Sequence, residues 1–358
     1  MNVVHLHPSN IEFNTRIYKS IKHHKVLGNN VYVLGLNKDS TSASTIKRKF
    51  GGIIVLQNIN TSDSIFKFIA YYVKTIDLTF RIKPDVIHFR TWSMLLFWPF
   101  VILTGARCVY DIHELESQRS GYSVYKGIFI KFLEYVLLNT FSHIVVVNEY
   151  IGDYYARKFK RIDVLIARNF PEVQYVCSDS IEPKSYDLVY CGLMADNRGL
   201  EDFVTIVSEL GLKGLLIGRG HQPYLNYLKH LVLSLNAEIV FMDYLEEETL
   251  INELKKCKVG WAFLSGNYGN SYKHALPNKL YHYLSANLPV VACADQVVIS
   301  SIISEKGLGA VYDDFAGLSL RLNDLLSVYQ DFNVKIERYL SKINLNTDWE
   351  NYYKKLYQ

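Results

Sequence analysis

Short apolar runs rich in β-branched residues alternate with longer amphipathic segments along most of the chain. Near-continuous apolar strands separated by helices are typical of a parallel sheet that is covered on both faces. In the first half, the pattern predicts strands at 2–6, 31–36, 52–56, 85–89, 108–111, 143–147 and 163–166. It predicts helices at 14–27, 64–82, 122–140 and 150–158. These elements suit one α/β domain.

The pattern stops at 171–186, PEVQYVCSDSIEPKSY, which has two prolines and no periodicity, and then restarts. The second half predicts strands at 187–191, 214–218, 238–242, 259–264 and 289–293, with helices at 199–210, 223–235, 246–256 and 278–286. We therefore predict an α/β fold with two Rossmann-like domains, 1–170 and 187–340, joined by a linker at 171–186. Ligands bind beyond the carboxyl ends of the strands in such sheets, so we expect the site in a cleft between two facing domains.

Composition excludes several classes of protein. A chain of 358 residues with 49% hydrophobic residues can bury two full-sized cores. The 39 basic and 35 acidic residues give a net charge of +4, too small a surplus to indicate a nucleic-acid partner. Five scattered cysteines without a CxxC pair favour neither a disulfide framework nor a zinc site. We expect a cytoplasmic protein, because MNVVHLH does not read as a signal peptide and the longest uncharged stretch, 91–106, is too short to span a bilayer.

The segment at 277–291, PNKLYHYLSANLPVV, is the most informative in the chain. It resembles the P-N-K-[LF]-[FY]-E-Y-[ML]-A-x-G-x-P-V-[IV] segment of GT-B glycosyltransferases, specifically the large family four of retaining enzymes. DVIHFR at 85–90, VYDIHELE at 109–116, LVYCGLMADNRGLEDFV at 188–204 and LLIGRG at 215–220 are similar to further family segments, in the same order. The resemblance implies the GT-B fold, with the acceptor bound by 1–170 and the nucleotide sugar by 187–340. It also implies that a final helix within 341–358 crosses back to the N-terminal domain.

The resemblance gives roles to residues in both domains. His113, in the segment similar to the family's YDxHE, would face the donor sugar beside the reacting centre. The neighbouring Glu114 is a candidate acid/base carboxylate, with a solvated loop as the alternative. Arg198 would bind the donor diphosphate together with Asn278 and Lys279 at a helix start, where backbone N–H groups attract anions.

Three positions depart from the family pattern. A second phosphate-binding arginine is replaced by Leu193. The two glutamates of the family become His274, expected beside the donor sugar, and His282, expected at the nucleotide ribose. A neutral imidazole accepts one hydrogen bond and cannot bridge both ribose hydroxyls as a carboxylate can. Three outcomes stay open: a nucleotide that is held differently, weaker donor binding, or lost activity.

The first strand leads into a loop, 7–14, that we expect to face the cleft. His7 and Asn10 lie there and are candidate acceptor-side residues, with a structural role for the strand-end histidines as the alternative. The chain contains no D-x-D sequence, so we expect no metal and no cofactor. Arginine, lysine and helix dipoles would then neutralise the diphosphate.

The implied activity is a retaining, hexosyltransferase-type transfer from a nucleotide diphosphate sugar to an oligosaccharide or lipid-linked acceptor, because bacterial relatives mostly build polysaccharide, lipopolysaccharide or capsule. A lipid-linked acceptor implies peripheral contact with the inner face of the plasma membrane. The apolar stretch 92–103 and the basic helix 16–25 are candidates for this contact, and a buried helix is the alternative for 92–103. The alternative functions are a non-catalytic partner of another transferase and a GT-B-fold sugar-nucleotide 2-epimerase.

Overall fold

The computed structural model of the chain describes residues 1–10, 15–37, 54–58, 65–119, 122–141, 143–168, 170, 184–196, 198–264, 272–343 and 347–357. The chain divides into two compact units, Met1–Asn169 with Asp348–Gln358, and Phe170–Thr347. Most of the predicted linker, 171–183, lies outside the described residues.

The first unit is built on a parallel sheet. Its strands are β1 (Asn2–Asn10), β2 (Asn30–Asn37), β3 (Ile54–Asn58), β4 (Val86–Phe89), β5 (Arg107–Ile112), β6 (His143–Val146) and β7 (Asp163–Ile166). They lie in the order β3-β2-β1-β4-β5-β6-β7. Its helices are α1 (Thr15–Val26), α2 (Ile65–Ile82), α3 (Val124–Leu137) and α4 (Glu149–Lys158).

The second unit repeats this plan. Its strands are β8 (Tyr186–Cys191), β9 (Lys213–Ile217), β10 (Glu238–Met242), β11 (Cys257–Trp261), β12 (Val290–Cys293) and β13 (Gly309–Tyr312), in the order β10-β9-β8-β11-β12-β13. Its helices are α5 (Leu200–Glu209), α6 (Gln222–Ser234), α7 (Glu247–Leu254), α8 (Asn278–Ser285), α9 (Val297–Lys306), α10 (Phe315–Ser327) and α11 (Asn333–Lys342). The α/β fold with two parallel-sheet units is therefore confirmed.

The last helix, α12 (Thr347–Tyr357), packs on the first unit. It buries three aromatic side chains against the sheet face that carries Val3 and Val86, namely Trp349, Tyr352 and Tyr353. The indole N–H of Trp349 donates to the Arg168 carbonyl at 3.0 Å. Burying such side chains is worth about 1.5–3 kcal/mol each, which is enough to hold a short helix in place.

Strand β1 is longer than the sequence indicates. It continues to Asn10, because its pairing with β2 persists through His7–Gly35 and resumes at Asn10–Leu36 after an irregularity. His7 therefore lies within the strand and not in the predicted loop. Residues 11–14 of that loop lie outside the described part of the chain.

The apolar stretch at 92–103 forms neither a long helix nor a fully buried one. It consists of three consecutive helical turns, Trp92–Phe97, Trp98–Val101 and Ile102–Thr104, with Pro99 at the start of the middle turn. The interior side carries Phe97 and Val101, whereas Leu103 is 72% exposed. The expectation of a fully buried helix is wrong for this segment, because Leu96, Phe100, Ile102 and Leu103 are exposed.

Helix α1 is not the solvated basic helix that its composition suggests. Arg16 is buried, and so is His24, whose ring stands edge-on to Tyr353 of α12 at 4.5 Å between centroids. His5 and His88, paired on β1 and β4, lie beneath it at 5.5 and 5.6 Å. Burial lowers the pKa of all three imidazoles, that of His24 to about 3, so they are neutral at pH 7.

Candidate functional site

In the second unit, two glycines bring the carboxyl ends of β8 and β9 together. Gly192 follows β8 with φ 138° and Gly218 follows β9 with φ 147°, both in the region that favours glycine. A Cβ atom on Gly218 would overlap the carbonyl oxygen of Gly192. Only glycine permits this close approach of the two strand ends.

Arg198 is placed at this edge by the start of α5. Gly199 caps the helix with φ 66°, and a side chain there would meet the Phe263 carbonyl at 2.7 Å. The Arg198 guanidinium lies 5.0 Å from the ring centroid of Tyr272. Its Nε atom is buried with no hydrogen-bond partner among the residues that the structure describes. A buried guanidinium N–H without an acceptor is costly, so this group suits an anionic ligand.

Helix α8 carries the other predicted donor residues and is fixed to the sheet by Tyr283. The Tyr283 hydroxyl accepts from the Cys191 N–H at 3.0 Å and donates to the Trp261 carbonyl at 2.9 Å. A Cβ at Gly260 would strike the Tyr283 ring, so that position needs glycine. These contacts determine where the start of α8, with Asn278, is presented.

Lys279, in the first turn of α8, lies within the range of the positive charge of Arg198. Its Nζ is 4.2 Å from the ring centroid of Tyr190. Burial and then the positive charge of Arg198 lower the pKa of Lys279 to about 7. An anion between these two side chains would relieve their repulsion and restore the proton on the lysine. Arg198 and Lys279 are thus near enough for the charge of one to affect the pKa of the other.

His282, one turn further along α8, pairs with a residue that sequence reasoning missed. Its Nε2 lies 3.4 Å from Oε1 of Glu247 at the start of α7. Burial opposes the charged imidazole, but hydrogen bonds with Cys191 and Glu247 outweigh it and raise the pKa of His282 to about 9. His282 is therefore protonated at neutral pH. The only sequence signal for Glu247 is the histidine at 282 in place of the family's carboxylate, because a protonated imidazole needs a counter-charge.

The two other departures lie nearby in sequence. Leu193, in the position of the second arginine, is 57% exposed just beyond β8. His274 is half-buried in the turn before α8. Burial and the charge of Lys273 lower its pKa, so His274 is a neutral imidazole at pH 7.

In the first unit, the end of β5 carries a buried ionic cluster beneath His113. Asp111 lies between Arg16 of α1, whose Nη2 is 2.8 Å from Oδ1, and Arg90, whose Nη1 donates to Oδ2. Although burial opposes ionisation, the two guanidinium groups hold the pKa of Asp111 well below its usual range. His113 Nε2 lies 3.6 Å from Asp111 Oδ1.

His113 itself is one-third exposed, and its Nε2 faces the buried Asp111 carboxylate. Burial lowers the pKa of His113, and the Asp111 carboxylate offsets part of that effect. A neutral imidazole on a fixed carboxylate can donate or accept one hydrogen bond to a sugar hydroxyl. This is the chemistry that the predicted role of His113 requires.

Glu114 forms an ion pair in the loop after β5. Its Oε2 lies 3.5 Å from Nε of Arg119, which also approaches Glu116 at 3.8 Å. Burial raises the pKa of Glu116 to about 7, against the opposing effect of Arg119. A carboxyl group with a pKa near neutrality, as Glu116 has, is suited to proton transfer.

The acceptor-side residues are only partly visible. His7 is 6% exposed, and burial with the charges of Arg90 and His113 lowers its pKa to about 3. The side chain of Asn10 lies outside the described side chains. The structure therefore places His7 beneath the surface near His113.

Among the described residues, one group of three could supply metal ligands. Nitrogen atoms of His5, His24 and His88 lie within 4.8 Å of one another. Nη2 of Arg90 lies 3.1 Å from Nδ1 of His5, so a guanidinium charge opposes a cation there. The three histidines of this cluster lie on β1, α1 and β4 of the first unit.

Two family models match the chain. The model described as Glycosyltransferase Family 4 matches residues 14–168, and the model described as Glucosyltransferase 3-like, C-terminal domain matches residues 223–347. Together they lie one in each unit. No curated protein sequence matches the chain.

Solved structures share the fold over nearly the full chain at low sequence identity. A structure of Anabaena HepE in complex with UDP and glucose is 11% identical, covers 99% of both chains and has a TM-score of 0.78. Sucrose-phosphate synthase from Thermosynechococcus elongatus is 14% identical, covers 100% of this chain and 99% of its own, with a TM-score of 0.76. A variant of Staphylococcus aureus TarM in complex with Fondaparinux, alpha-GlcNAc-glycerol and UDP is 9% identical, covers 99% of both chains and has a TM-score of 0.72.

Proposed function

We propose that the chain is a GT-B glycosyltransferase resembling family four, and that it moves a hexose from a nucleotide diphosphate sugar to a glycan or lipid-linked acceptor with retention. The observation that carries the donor class is the pair of neighbouring cations, Arg198 and Lys279, at the strand ends of the second unit. A guanidinium beside a lysine that takes up a proton when an anion binds suits a diphosphate, with the helix start at Asn278 adding N–H groups.

In the proposed reaction, the bond between the anomeric carbon and the diphosphate oxygen breaks, and the diphosphate keeps the electron pair. An acceptor hydroxyl oxygen bonds to the anomeric carbon, and its proton passes to the leaving diphosphate. Arg198 and Lys279 stabilise the charge that develops on the leaving group. His113 supports the donor sugar. Glu114, in the same loop, is the candidate acid/base carboxylate.

We place the reaction in bacterial surface polysaccharide synthesis, on the cytoplasmic side, with peripheral contact at the inner face of the membrane. The resemblance to family four supports this pathway. The UDP complexes of HepE and TarM support a uridine nucleotide as the donor's base. No described helix is both long and apolar enough to cross a bilayer. His7 and Asn10 remain our proposed acceptor-side residues, and His274 remains our proposed donor-sugar residue.

The function is tested by incubating the protein with UDP-, GDP- and ADP-sugars, with and without an extract that contains acceptors. We expect nucleoside diphosphate release that depends on the acceptor. Interconversion of the sugar nucleotide without release would instead support an epimerase. No binding and no turnover with any donor would support a non-catalytic partner.

His113→Ala should lower turnover about 2- to 12-fold while leaving the affinity for the free nucleoside diphosphate unchanged, since it removes one hydrogen bond to the sugar, worth about 0.5–1.5 kcal/mol. The measurement is steady-state kinetics beside calorimetry with the free nucleotide. His143→Ala is the matched control, because His143 also lies near a carboxylate, that of Asp163 at 4.0 Å. It stands at the start of β6, whereas His113 follows the end of β5. Equal turnover in both variants would contradict the assignment.

We further propose that His282 serves the ribose through its pair with Glu247, the protonated imidazole holding the Glu247 carboxylate while that carboxylate accepts from a ribose hydroxyl. Glu247→Gln should weaken binding of the nucleoside diphosphate about 5-fold, or ~1 kcal/mol, since the acceptor loses its charge. The wild type should also discriminate against 2′- and 3′-deoxy nucleotides, and the variant should not. Wild-type affinity should fall as pH rises through about 9, where His282 loses its proton, and in His282→Gln this fall should be absent.

A ribose contact at this pair is wrong if the deoxy nucleotides bind the wild type as tightly as the parent nucleotide. His282→Glu offers a further check on the geometry. It would place two carboxylates side by side in a half-buried site, so the restored family residue should weaken nucleotide binding.

A further inference from the structure

Helix α3 turns a broad apolar face to water. Tyr125 is 85% exposed and Phe132 is 60% exposed. The exposed apolar residues recur at spacings of one, three and four, so they share one side of the helix. They include Val124, Tyr125, Ile128, Phe129, Phe132 and Tyr135. An exposed apolar face of this extent marks an interaction site.

The opposite side of α3 holds the helix firmly, so the apolar face cannot rotate inward. Gly127 packs so closely that a Cβ atom there would lie 2.7 Å from the Ser117 carbonyl oxygen. The buried Glu134 accepts a hydrogen bond from Tyr155 at 2.6 Å. Glu134 is the only acidic residue of α3, and its burial keeps this carboxylate on the inner side of the helix.

The apolar face of α3 continues onto the turns after β4. The ring of Trp92 lies 6.4 Å from that of Phe129, and Nζ of Lys126 lies 5.4 Å from the Trp92 ring and 3.5 Å from the Tyr122 ring. The predicted membrane segment, 92–103, is therefore the neighbour of the larger exposed surface and not its centre. We call the exposed side of α3 together with Trp92 the α3 surface.

Charge identifies the occupant. Lys131 lies at one edge of the exposed side of α3, Lys126 lies over the rings of Trp92 and Tyr122, and the outward side of α3 carries no Asp or Glu. A second copy of the chain would bring the same lysines and no carboxylate to meet them. Anionic lipid headgroups would neutralise both lysines, and tyrosine and tryptophan favour headgroup depth. The 14 residues of α3 extend about 21 Å, which suits a helix lying in the interface and is too short to span the bilayer.

We propose that the α3 surface docks the first unit on an anionic membrane, with Phe129 and Phe132 at the acyl boundary and Lys126 and Lys131 toward the phosphates. The placement rests on the geometry of α3. It deepens the proposed function, because a lipid-linked acceptor would be met at this surface.

The test is sedimentation of the full chain with vesicles of phosphatidylglycerol and phosphatidylcholine, and with phosphatidylcholine alone. We expect the wild type to bind the anionic vesicles at low salt. The triple variant Tyr125→Ser, Ile128→Ser, Phe132→Ser should lose at least tenfold of the partition. Lys131→Gln should lose about 5-fold on anionic vesicles only.

The matched control changes three exposed apolar residues of the second unit in the same way. Leu233→Ser, Leu320→Ser and Val334→Ser, at positions 76%, 83% and 62% exposed, should leave vesicle binding unchanged. Melting temperature should stay within about 2 °C of the wild type in both triple variants, because none of these side chains is buried.

Three outcomes would overturn the proposal: a wild type that stays in the supernatant with anionic vesicles, a triple variant of α3 that binds as well as the wild type, or a loss equal to that of the control. If sedimentation velocity instead shows a dimer that the α3 variant dissociates, the occupant is a second copy and the membrane assignment is wrong. Calorimetry with the nucleoside diphosphate separates this proposal from the donor proposal, since the α3 variant should bind nucleotide normally.

Discussion

Arg198→Ala should weaken nucleoside diphosphate binding about 10- to 150-fold, because it removes a charge-assisted contact worth about 1.5–3 kcal/mol. The guanidinium has a buried Nε that finds no acceptor among the described residues, and a diphosphate oxygen supplies one. Turnover should fall with donor affinity, since the same contact stabilises the leaving group. The fold should survive, because Arg198 forms no ion pair that holds the described part of the second unit together.

Arg321→Ala is the matched control for this variant. Its guanidinium also lies over a tyrosine ring, 5.5 Å from Tyr312, compared with 5.0 Å between Arg198 and Tyr272. It removes the same charge from an exposed position on α10. Calorimetry at equal ionic strength should show unchanged nucleotide binding in the control. Equal losses in both variants would reduce the effect to the net charge of the unit and contradict the assignment.

The pH dependence makes the test sharper. In the wild type, Lys279 with a pKa of about 7 must take up a proton to meet the diphosphate, so binding should weaken as pH rises through 7. Arg198 contributes to that lowered pKa, so Arg198→Ala should move the weakening to higher pH. A pH profile that is the same in the wild type and the variant would show that the two cations do not share a ligand.

The sequence predicts the strands well because each one is an apolar run that needs no partner to be recognised. Val3, Val86 and Val109 read as buried strand residues, and they are buried. The segment around Pro277 is equally informative, because proline at a helix start and the turn before β12 are local features. Between 293 and the final helix no element is predicted from the sequence, and β13 with α9, α10 and α11 completes the second unit there.

What the sequence conceals depends on distant chain segments. His24 lies among lysines on α1 and reads as solvated, yet α12 covers it from the other end of the chain. Glu247 and His282 meet only because α7 and α8 pack side by side. Helix α3 is apolar nearly all round, so periodicity cannot show which of its sides faces water. Its orientation follows from the close approach of Gly127 to Ser117, a contact with no local signature.

The ionic cluster at the end of β5 carries the largest expected effect on stability. Asp111 is the single carboxylate between the buried guanidinium groups of Arg16 and Arg90. Arg16 reaches further, to the Ala167 carbonyl, so one side chain joins α1, β5 and the end of β7. Removing one partner from a buried ionic cluster leaves the others uncompensated, which typically costs about 3–5 kcal/mol.

Asp111→Asn should therefore lower the free energy of unfolding by about 3–5 kcal/mol, measured by denaturant titration. Asp77→Asn is the control, because Asp77 pairs with Arg81 at 2.9 Å on an exposed helix surface, where such a pair is worth about 0.5 kcal/mol or less. The folded-state pKa of Asp111 is lowered, so its contribution is full above the ordinary value for Asp and is lost as pH falls through the folded-state pKa. The difference between wild type and variant should accordingly narrow in acid. A difference below about 1 kcal/mol at pH 7 would mean that the two arginines find other acceptors, and the position of His113 would then need another explanation.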